Sequence, residues 1–259
     1  MLAELDFSNK SVVITGASRG IGFGVAEAFA SHGANLHLIS SGKTIHQAGE
    51  KLKNMPAAPV KTYQCDISDK HKVVEVLSEI ETIDVLINNA GLERPTPINN
   101  PDPQVINDFE RIININILGT FYVTRAAVSK MSAGGCIIIT SSIWGKTAVS
   151  EFSAYCSSKH ANIGFMRSLS KELGPEGIRV NAVCPGWVET EAAMKSLAWM
   201  SQKRKISEPE LLDEIVGSQS LTGLMQPSDV SQLYLYLASS LSSNITGQAI
   251  NVDRGEVLR

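Results

Sequence analysis

Several things are scarce in this chain of 259 residues, and each shortage removes a class of protein. The four cysteines, Cys65, Cys136, Cys156 and Cys184, are widely spaced and form no C-x-x-C pair. Neither a disulfide framework nor a zinc knuckle is expected from them, and reduced thiols in the cytoplasm are. There is no H-E-x-x-H and no cluster of histidine with cysteine, so no metal site is expected. No run reaches the ~18 apolar residues of a membrane helix. The first ten residues, MLAELDFSNK, contain two acids and lack the basic and apolar regions of a secretory signal. A basic excess is missing as well. Lysine and arginine number 23 against 26 acids, for a net charge of −3, so no nucleic-acid surface is expected. The short basic run Lys203-Arg204-Lys205 is followed by Glu208, Glu210, Asp213 and Glu214 and reads as a solvated helical face. Internal repeats and low-complexity segments are absent too.

What the chain does have is an ordinary globular composition, 43% hydrophobic and 19% charged, set out in alternating patterns. Short β-branched runs read as strands at Ser11–Thr15, Asn35–Ile39, Val60–Gln64, Asp84–Asn88, Cys136–Thr140, Arg179–Val183 and Ala249–Val252. Several are nearly continuous in Val, Ile and Leu, as strands buried on both faces of a parallel sheet must be. Between them lie helical patterns at Ile21–Ser31, Lys70–Ile80, Gln104–Met131, Phe152–Leu173 and Ser228–Leu237, long enough for crossovers. The alternation predicts an α/β fold, a doubly wound parallel sheet in one domain over 1–259. Between Gly186 and Pro227 no strand pattern appears, while Met194, Leu197, Trp199 and Met200 share one spacing. An insertion here, at about 187–226, reads as a substrate loop or lid. A surface helix pair that packs or oligomerises is the alternative.

The first strand runs straight into Thr15-Gly16-Ala17-Ser18-Arg19-Gly20-Ile21-Gly22, after which a helix begins. Glycines at a strand-to-helix turn let the backbone approach a pyrophosphate closely, and the helix N-terminus supplies unpaired N–H groups and a favourable dipole. Tyr155 and Lys159 are four apart in a helical pattern, which stacks both side chains on one face. A free tyrosine titrates near ~10, and an adjacent ammonium would favour its phenolate.

These motifs together resemble the classical short-chain dehydrogenase/reductase family. T-G-x-x-x-G-x-G, Asn88-Asn89-Ala90-Gly91, an asparagine of the central helix, Ser142 with Tyr155-x-x-x-Lys159, and Pro185-Gly186 follow in the family's order over nearly the whole chain. The resemblance implies a seven-stranded Rossmann-type sheet, a nicotinamide cofactor, a carbonyl or alcohol substrate and a homotetramer or homodimer. It assigns Gly16, Ser18, Arg19, Gly20, Ile21 and Gly22 to the pyrophosphate turn, and Asp66 with Ile67 to the adenine. Asn88, Ala90 and Gly91 fall to the ribose, and Pro185, Gly186, Val188 and Thr190 to the nicotinamide. The second strand ends Ile39-Ser40-Ser41-Gly42-Lys43 without the acid that would accept from an NAD ribose. Ser40, Ser41 and Lys43, with Arg19 at a position that is basic in NADP-preferring relatives, favour NADP(H) over NAD(H).

For the chemistry, the resemblance makes Ser142 the group that orients the substrate oxygen, with Ser141 its neighbour and competitor. Asn116 matches the asparagine that bends the central helix and links a water to Lys159; Asn114 competes. Glu93, Arg94, Ile143, Trp144, Phe152 and Trp187 are the candidate substrate wall, where Glu93 and Arg94 could instead pair with each other. Oxoacyl thioesters, small cyclic ketones or diols, polyols and sugars, and steroid-like rings all stay open. An NAD-dependent alcohol, polyol or sugar dehydrogenase is the nearest rival, and a non-catalytic NADP(H) sensor the rival of another class. One departure stands at the end, Val252-Asp253-Arg254-Gly255, where many relatives have two glycines. Arg254 there implies a changed backbone angle or a cation at the turn. If Tyr155 moves the proton, Tyr155→Phe is expected to lower turnover by about 10²–10⁴-fold, measured in a steady-state assay. Near-normal turnover would dismiss the assignment.

Overall fold

Segments continuous in Val, Ile and Leu have no polar face to offer water, and here they become the middle of a sheet. The computed structural model describes residues 5–53, 55 and 59–258; part of the N-terminal stretch read above lies outside them. The strands are β1 (Ser11–Thr15), β2 (Asn35–Ser40), β3 (Val60–Gln64), β4 (Val85–Asn88), β5 (Cys136–Thr140), β6 (Arg179–Pro185) and β7 (Ala249–Val252). They form one sheet in the order β3-β2-β1-β4-β5-β6-β7, and every pair is parallel. All residues of β1, β4 and β5 are buried.

Helices cover both faces. The first is α1 (Gly20–Ser31), then α2 (Thr44–Lys53), α3 (Lys70–Ser78), α4 (Pro103–Ile113), α5 (Thr120–Val128) and α6 (Ser153–Leu173). The last three are α7 (Glu191–Arg204), α8 (Glu208–Gly217) and α9 (Pro227–Ala238). Val25, Phe29, Ile45, Leu52, Val230 and Tyr234 join α1, α2 and α9 to one face of the sheet. Val73, Leu77, Val123, Ile163 and Met166 join α3, α5 and α6 to the other. A third, small cluster joins Trp187, ahead of α7, to Leu197 on α7 and Leu211 on α8. This is the doubly wound, Rossmann-like fold the alternation predicts.

The differences are local. The pattern Gln104–Met131 is not one helix, because a π turn over Asn114–Gly119 separates α4 from α5. Gly119 packs so tightly there that a Cβ would come 2.7 Å from the Ile67 side chain. The helix α2 was not anticipated, although Ile45, Ala48 and Leu52 are buried along one face of it. Residues 187–226 do contain a helix pair, α7 and α8, and a lone parallel bridge between Val188 and Met225 pins the two ends together. At the chain's end Arg254 has φ +55, the left-handed conformation that glycine favours, and its guanidinium donates to the Thr222 carbonyl at 2.8 Å. The turn keeps a glycine-like angle and gains a cation.

Helix starts divide into two kinds. Asp69, Asp102 and Ser207 cap α3, α4 and α8 with side-chain oxygens. The N-cap of α1 is Arg19, which makes no capping bond, and no acid stands in that helix's first turn. Its N–H groups are left for something else. Close packing in the same turn is severe: a Cβ on Gly22 would lie 2.4 Å from the Gly16 carbonyl oxygen. Gly22→Ala is therefore expected to cost about 1–3 kcal/mol of stability, read from denaturant midpoints. An unchanged midpoint would mean the turn is looser than described.

Candidate active site

Parallel strands whose crossovers leave to opposite faces open a crevice at their carboxyl ends, and β1 and β4 part in this way. Thr15 Oγ1 accepts the backbone N–H groups of Asn89 and Ala90, each at 3.0 Å. In return the Asn89 amide donates to the carbonyls of Thr15 at 3.1 Å and Gly16 at 3.3 Å. The turn can sit this close because Gly16 is a glycine with φ +69; a Cβ there would lie 2.8 Å from Ala90 Cα. A cleft of about 640 Å³ starts at this junction. It runs from Ser40, Ser41, Asp66 and Arg111 at one end, past Gly16 to Gly22, to Ser142, Tyr155 and Trp187 at the other.

At the far end, burial and side-chain bonds sort the competing residues. Asn114 is exposed, whereas Asn116 is 1% exposed. Asn116 Oδ1 accepts from Leu92 N–H at 2.7 Å, and its Nδ2 donates to the Leu92 carbonyl and to Ser158 Oγ. Ser141 turns its hydroxyl into α6, donating to the Lys159 carbonyl at 2.9 Å. Ser142 keeps its hydroxyl on the cleft side, accepting from Trp144 N–H at 3.1 Å and hydrogen-bonding Tyr155. Lys159 Nζ donates to the Thr140 carbonyl at 2.8 Å and lies 5.4 Å from the centre of the Tyr155 ring. A Cβ on Gly91 would come 3.4 Å from that ammonium and 3.5 Å from Asn116 Oδ1. Both are ordinary van der Waals distances, so space alone does not demand glycine there.

The electrostatics correct one expectation. Burial, then the Glu93 carboxylate, push the Tyr155 phenol well above its ordinary value, while the Ser142 hydrogen bond draws it down. The Lys159 ammonium, which gives one of its three N–H bonds to Thr140 and lies over the ring, does not outweigh that burial in the free site. Burial brings the Lys159 ammonium down to about 8, against an upward pull from Glu93. At neutral pH the free site therefore holds a protonated phenol beside a charged lysine.

Most of the residues expected at the cofactor end line the cleft: Gly16, Ser18, Arg19, Gly20, Ile21, Gly22, Ser40, Ser41, Asp66, Ile67, Ala90, Gly91, Pro185, Gly186, Val188 and Thr190. Two do not. Asn88 is buried and donates to Thr124 Oγ1 at 2.9 Å, so the clamp of this motif is Asn89. Lys43 is exposed, and it is not part of the cleft wall. Arg19 pairs with Glu191 at 3.1 Å, across the cleft mouth at the start of α7. Asp66 accepts from Ser68 and pairs with Arg111, which the sequence reading missed. Partial burial pushes the Asp66 carboxyl up, but Arg111 and Ser68 together hold it below its usual value.

On the substrate side Glu93, Ile143, Trp144 and Trp187 line the cleft. Arg94 and Phe152 do not: Arg94 pairs with Asp108, and Phe152 is fully buried, packing behind Trp144 at 5.4 Å. Glu93 and Arg94 thus have separate partners, Ser196 on α7 for the first.

With this geometry in hand, comparison with known proteins is direct. A family model described as Enoyl-(Acyl carrier protein) reductase matches residues 16–256. The chain is 32% identical over 254 residues to a 3alpha-hydroxysteroid dehydrogenase of Mediterraneibacter gnavus, covering 95% of this chain and 96% of that protein. It superimposes with a TM-score of 0.87 on a Brucella melitensis structure described as a short-chain dehydrogenase/reductase, glucose/ribitol dehydrogenase, at 27% identity and covering 98% and 99% of the two chains. A 3-oxoacyl-[acyl-carrier protein] reductase with bound NAD, also from Brucella melitensis, gives 0.83 at 29% identity over 97% and 92%.

The shifted lysine makes stability depend on pH in a definite sense. Between about 8, where folded Lys159 loses its proton, and its ordinary 10.5, the unfolded chain binds one proton more than the folded one. This group therefore makes stability rise with pH across that window. In urea titrations any advantage of Lys159→Met over the unsubstituted protein is expected to shrink between those limits. A difference that stays constant would contradict the shift.

Proposed function

The chain belongs to the short-chain dehydrogenase/reductase family, and we propose that it interconverts a carbonyl and a secondary alcohol with NADP(H), through Asn116, Ser142, Tyr155 and Lys159. As a member of that family it is an oxidoreductase acting on CH–OH groups. The observation that carries the finer reading is the protonated Tyr155 phenol, hydrogen-bonded to Ser142 with Lys159 over the ring, at one end of a cleft that passes an uncapped helix N-terminus.

The residues fit a dinucleotide. The open first turn of α1, glycines at 16, 20 and 22 and the length of the cleft suit a pyrophosphate with a base on either side. When bound, the nicotinamide supplies the hydride. Ser142 and Tyr155 hydrogen-bond the carbonyl oxygen, and Tyr155 gives that oxygen its proton as the carbon is reduced. Lys159 then offsets the phenolate and holds the ribose hydroxyls. Both Asn116 amide N–H groups are already engaged, with Leu92 and Ser158. That leaves its backbone carbonyl, which accepts from Thr120 Oγ1 at 2.8 Å and has a second lone pair, to hold a relay water. The pair α7 and α8, over 187–226, serves as the lid. Exposed Ile106, Phe109, Leu118 and Phe121 on α4, the π turn and α5 support a homodimer or homotetramer. Four buried free thiols suit the cytoplasm.

Preference for NADP(H) rests on the end of β2, where Ser40 Oγ lies 3.1 Å from Ser18 Oγ and Ile39-Ser40-Ser41-Gly42-Lys43 carries no acid to repel a 2′-phosphate. The position of Lys43 outside the cleft and the Arg19–Glu191 pair favour the second reading, NAD(H), as does the NAD-bound relative. In a thermal-shift comparison at equal concentrations NADP(H) is expected to raise the midpoint more than NAD(H), and Ser40→Asp to reverse the order. A larger shift with NAD(H) in the unsubstituted protein would overturn the preference, and no shift with either would overturn the cofactor.

A further inference from the structure

Two residues past Gly91, in the loop leaving β4, Glu93 lines the same recess as Tyr155, Lys159, Ser142, Trp144 and Trp187. The other walls there are largely apolar. Lys159, the second charged group at this end, gives one of its three N–H bonds to the Thr140 carbonyl. Glu93 Oε1 accepts from Ser196, a buried hydroxyl on α7, and Oε2 has no hydrogen-bond partner among the described residues. That oxygen is not sealed from solvent, so it stands as an open acceptor on the wall of the recess. Burial pushes the Glu93 carboxyl up, while Ser196 and Lys159 hold it down. Its charge raises both the Tyr155 phenol and the Lys159 ammonium, and the residue shares the wall of the recess with them. A hydroxyl on a ligand would supply the missing donor, and an anion would meet like charge at short range.

We infer that Glu93 is a specificity residue for a neutral hydroxyl on the carbon next to the reacting one. It accepts from that hydroxyl through Oε2, so the preferred pair is an α-hydroxy ketone and its vicinal diol, and compounds with a carboxylate at that position are rejected. This rests on the carbonyl-reduction reading above. Ser196 serves as a positioning residue that holds the carboxylate against α7.

Three four-carbon ketones separate the alternatives: 2-butanone, 1-hydroxy-2-butanone and 2-oxobutanoate, assayed with saturating NADPH in the unsubstituted protein, Glu93→Ala and Ser196→Ala. A retained NADPH thermal shift shows that each variant is folded. The unsubstituted protein is expected to prefer the hydroxy ketone over 2-butanone by about 10–100-fold in kcat/KM, with 2-oxobutanoate the poorest. Glu93→Ala is expected to erase most of that preference through KM and to narrow the gap to 2-oxobutanoate. Ser196→Ala, which breaks the tether but leaves the carboxylate, keeps the order. If Glu93→Ala keeps the order, or both variants lose it equally, the inference is overturned and Glu93 is only a tether. Failure of the unsubstituted protein to reduce any of the three, despite binding NADPH, would overturn the carbonyl-reduction reading together with the inference.

Discussion

Where β1 and β4 part, Asn89 joins the two strand ends, and a run of hydrogen bonds leads from it to the reacting groups. Its amide holds the carbonyls of Thr15 and Gly16. Its Oδ1 accepts from Thr140 Oγ1 at 3.3 Å, and the carbonyl of that same threonine takes the Lys159 ammonium. Tyr234 on α9 closes on Thr140 Oγ1 at 2.7 Å from the opposite helix layer. The phosphate-type turn, the sheet and the lysine are thereby held in one register. Such a chain of buried bonds is stiff because each member is satisfied by the next. It explains how a groove for a long cofactor can end at a fixed distance from a phenol on a different helix.

Burial does the rest of the electrostatic work, and it acts on three groups at once. It keeps the Tyr155 proton on, weakens the hold of Lys159 on its own, and raises the Glu93 carboxyl. Glu93 offsets part of the effect of burial on the ammonium and adds to its effect on the phenol. A proton donor for reduction needs a protonated phenol first and a stabilised phenolate after transfer. The free site supplies the first, while Ser142 and Lys159 are in place for the second.

Much of this was legible in the sequence because it is local. Continuous Val, Ile and Leu in β1, β4 and β5, glycines at a strand-to-helix turn and a tyrosine with a lysine one turn later all follow from short-range patterns. Asn116 was chosen over Asn114, and Ser142 over Ser141; Asn116 is the buried one of its pair, and Ser141 bonds to the Lys159 carbonyl while Ser142 accepts from Trp144 N–H. What escaped depends on which way a residue points or what it meets from afar. Asn88 and Asn89 are adjacent, and strand alternation sends one into the core and the other to the turn. Arg111 reaches Asp66 from 45 residues away, and Arg94 finds Asp108 rather than its neighbour. Phe152 was expected on the substrate wall but supports Trp144 from behind. The π turn that interrupts the long helical pattern contains Asn116, and in it Gly119 packs tightly on Ile67, a contact with no trace in periodicity.

The central claim is that the Tyr155 proton travels as the hydride does. The first turnover of an NADPH-loaded sample, followed by nucleotide absorbance in H2O and in D2O at matched pH readings, tests it most directly. Slower hydride transfer in D2O for the unsubstituted protein, with that dependence lost in Tyr155→Phe, is the result expected. Equal first-turnover rates in the two solvents, or the same solvent dependence after Tyr155 is replaced, would contradict it.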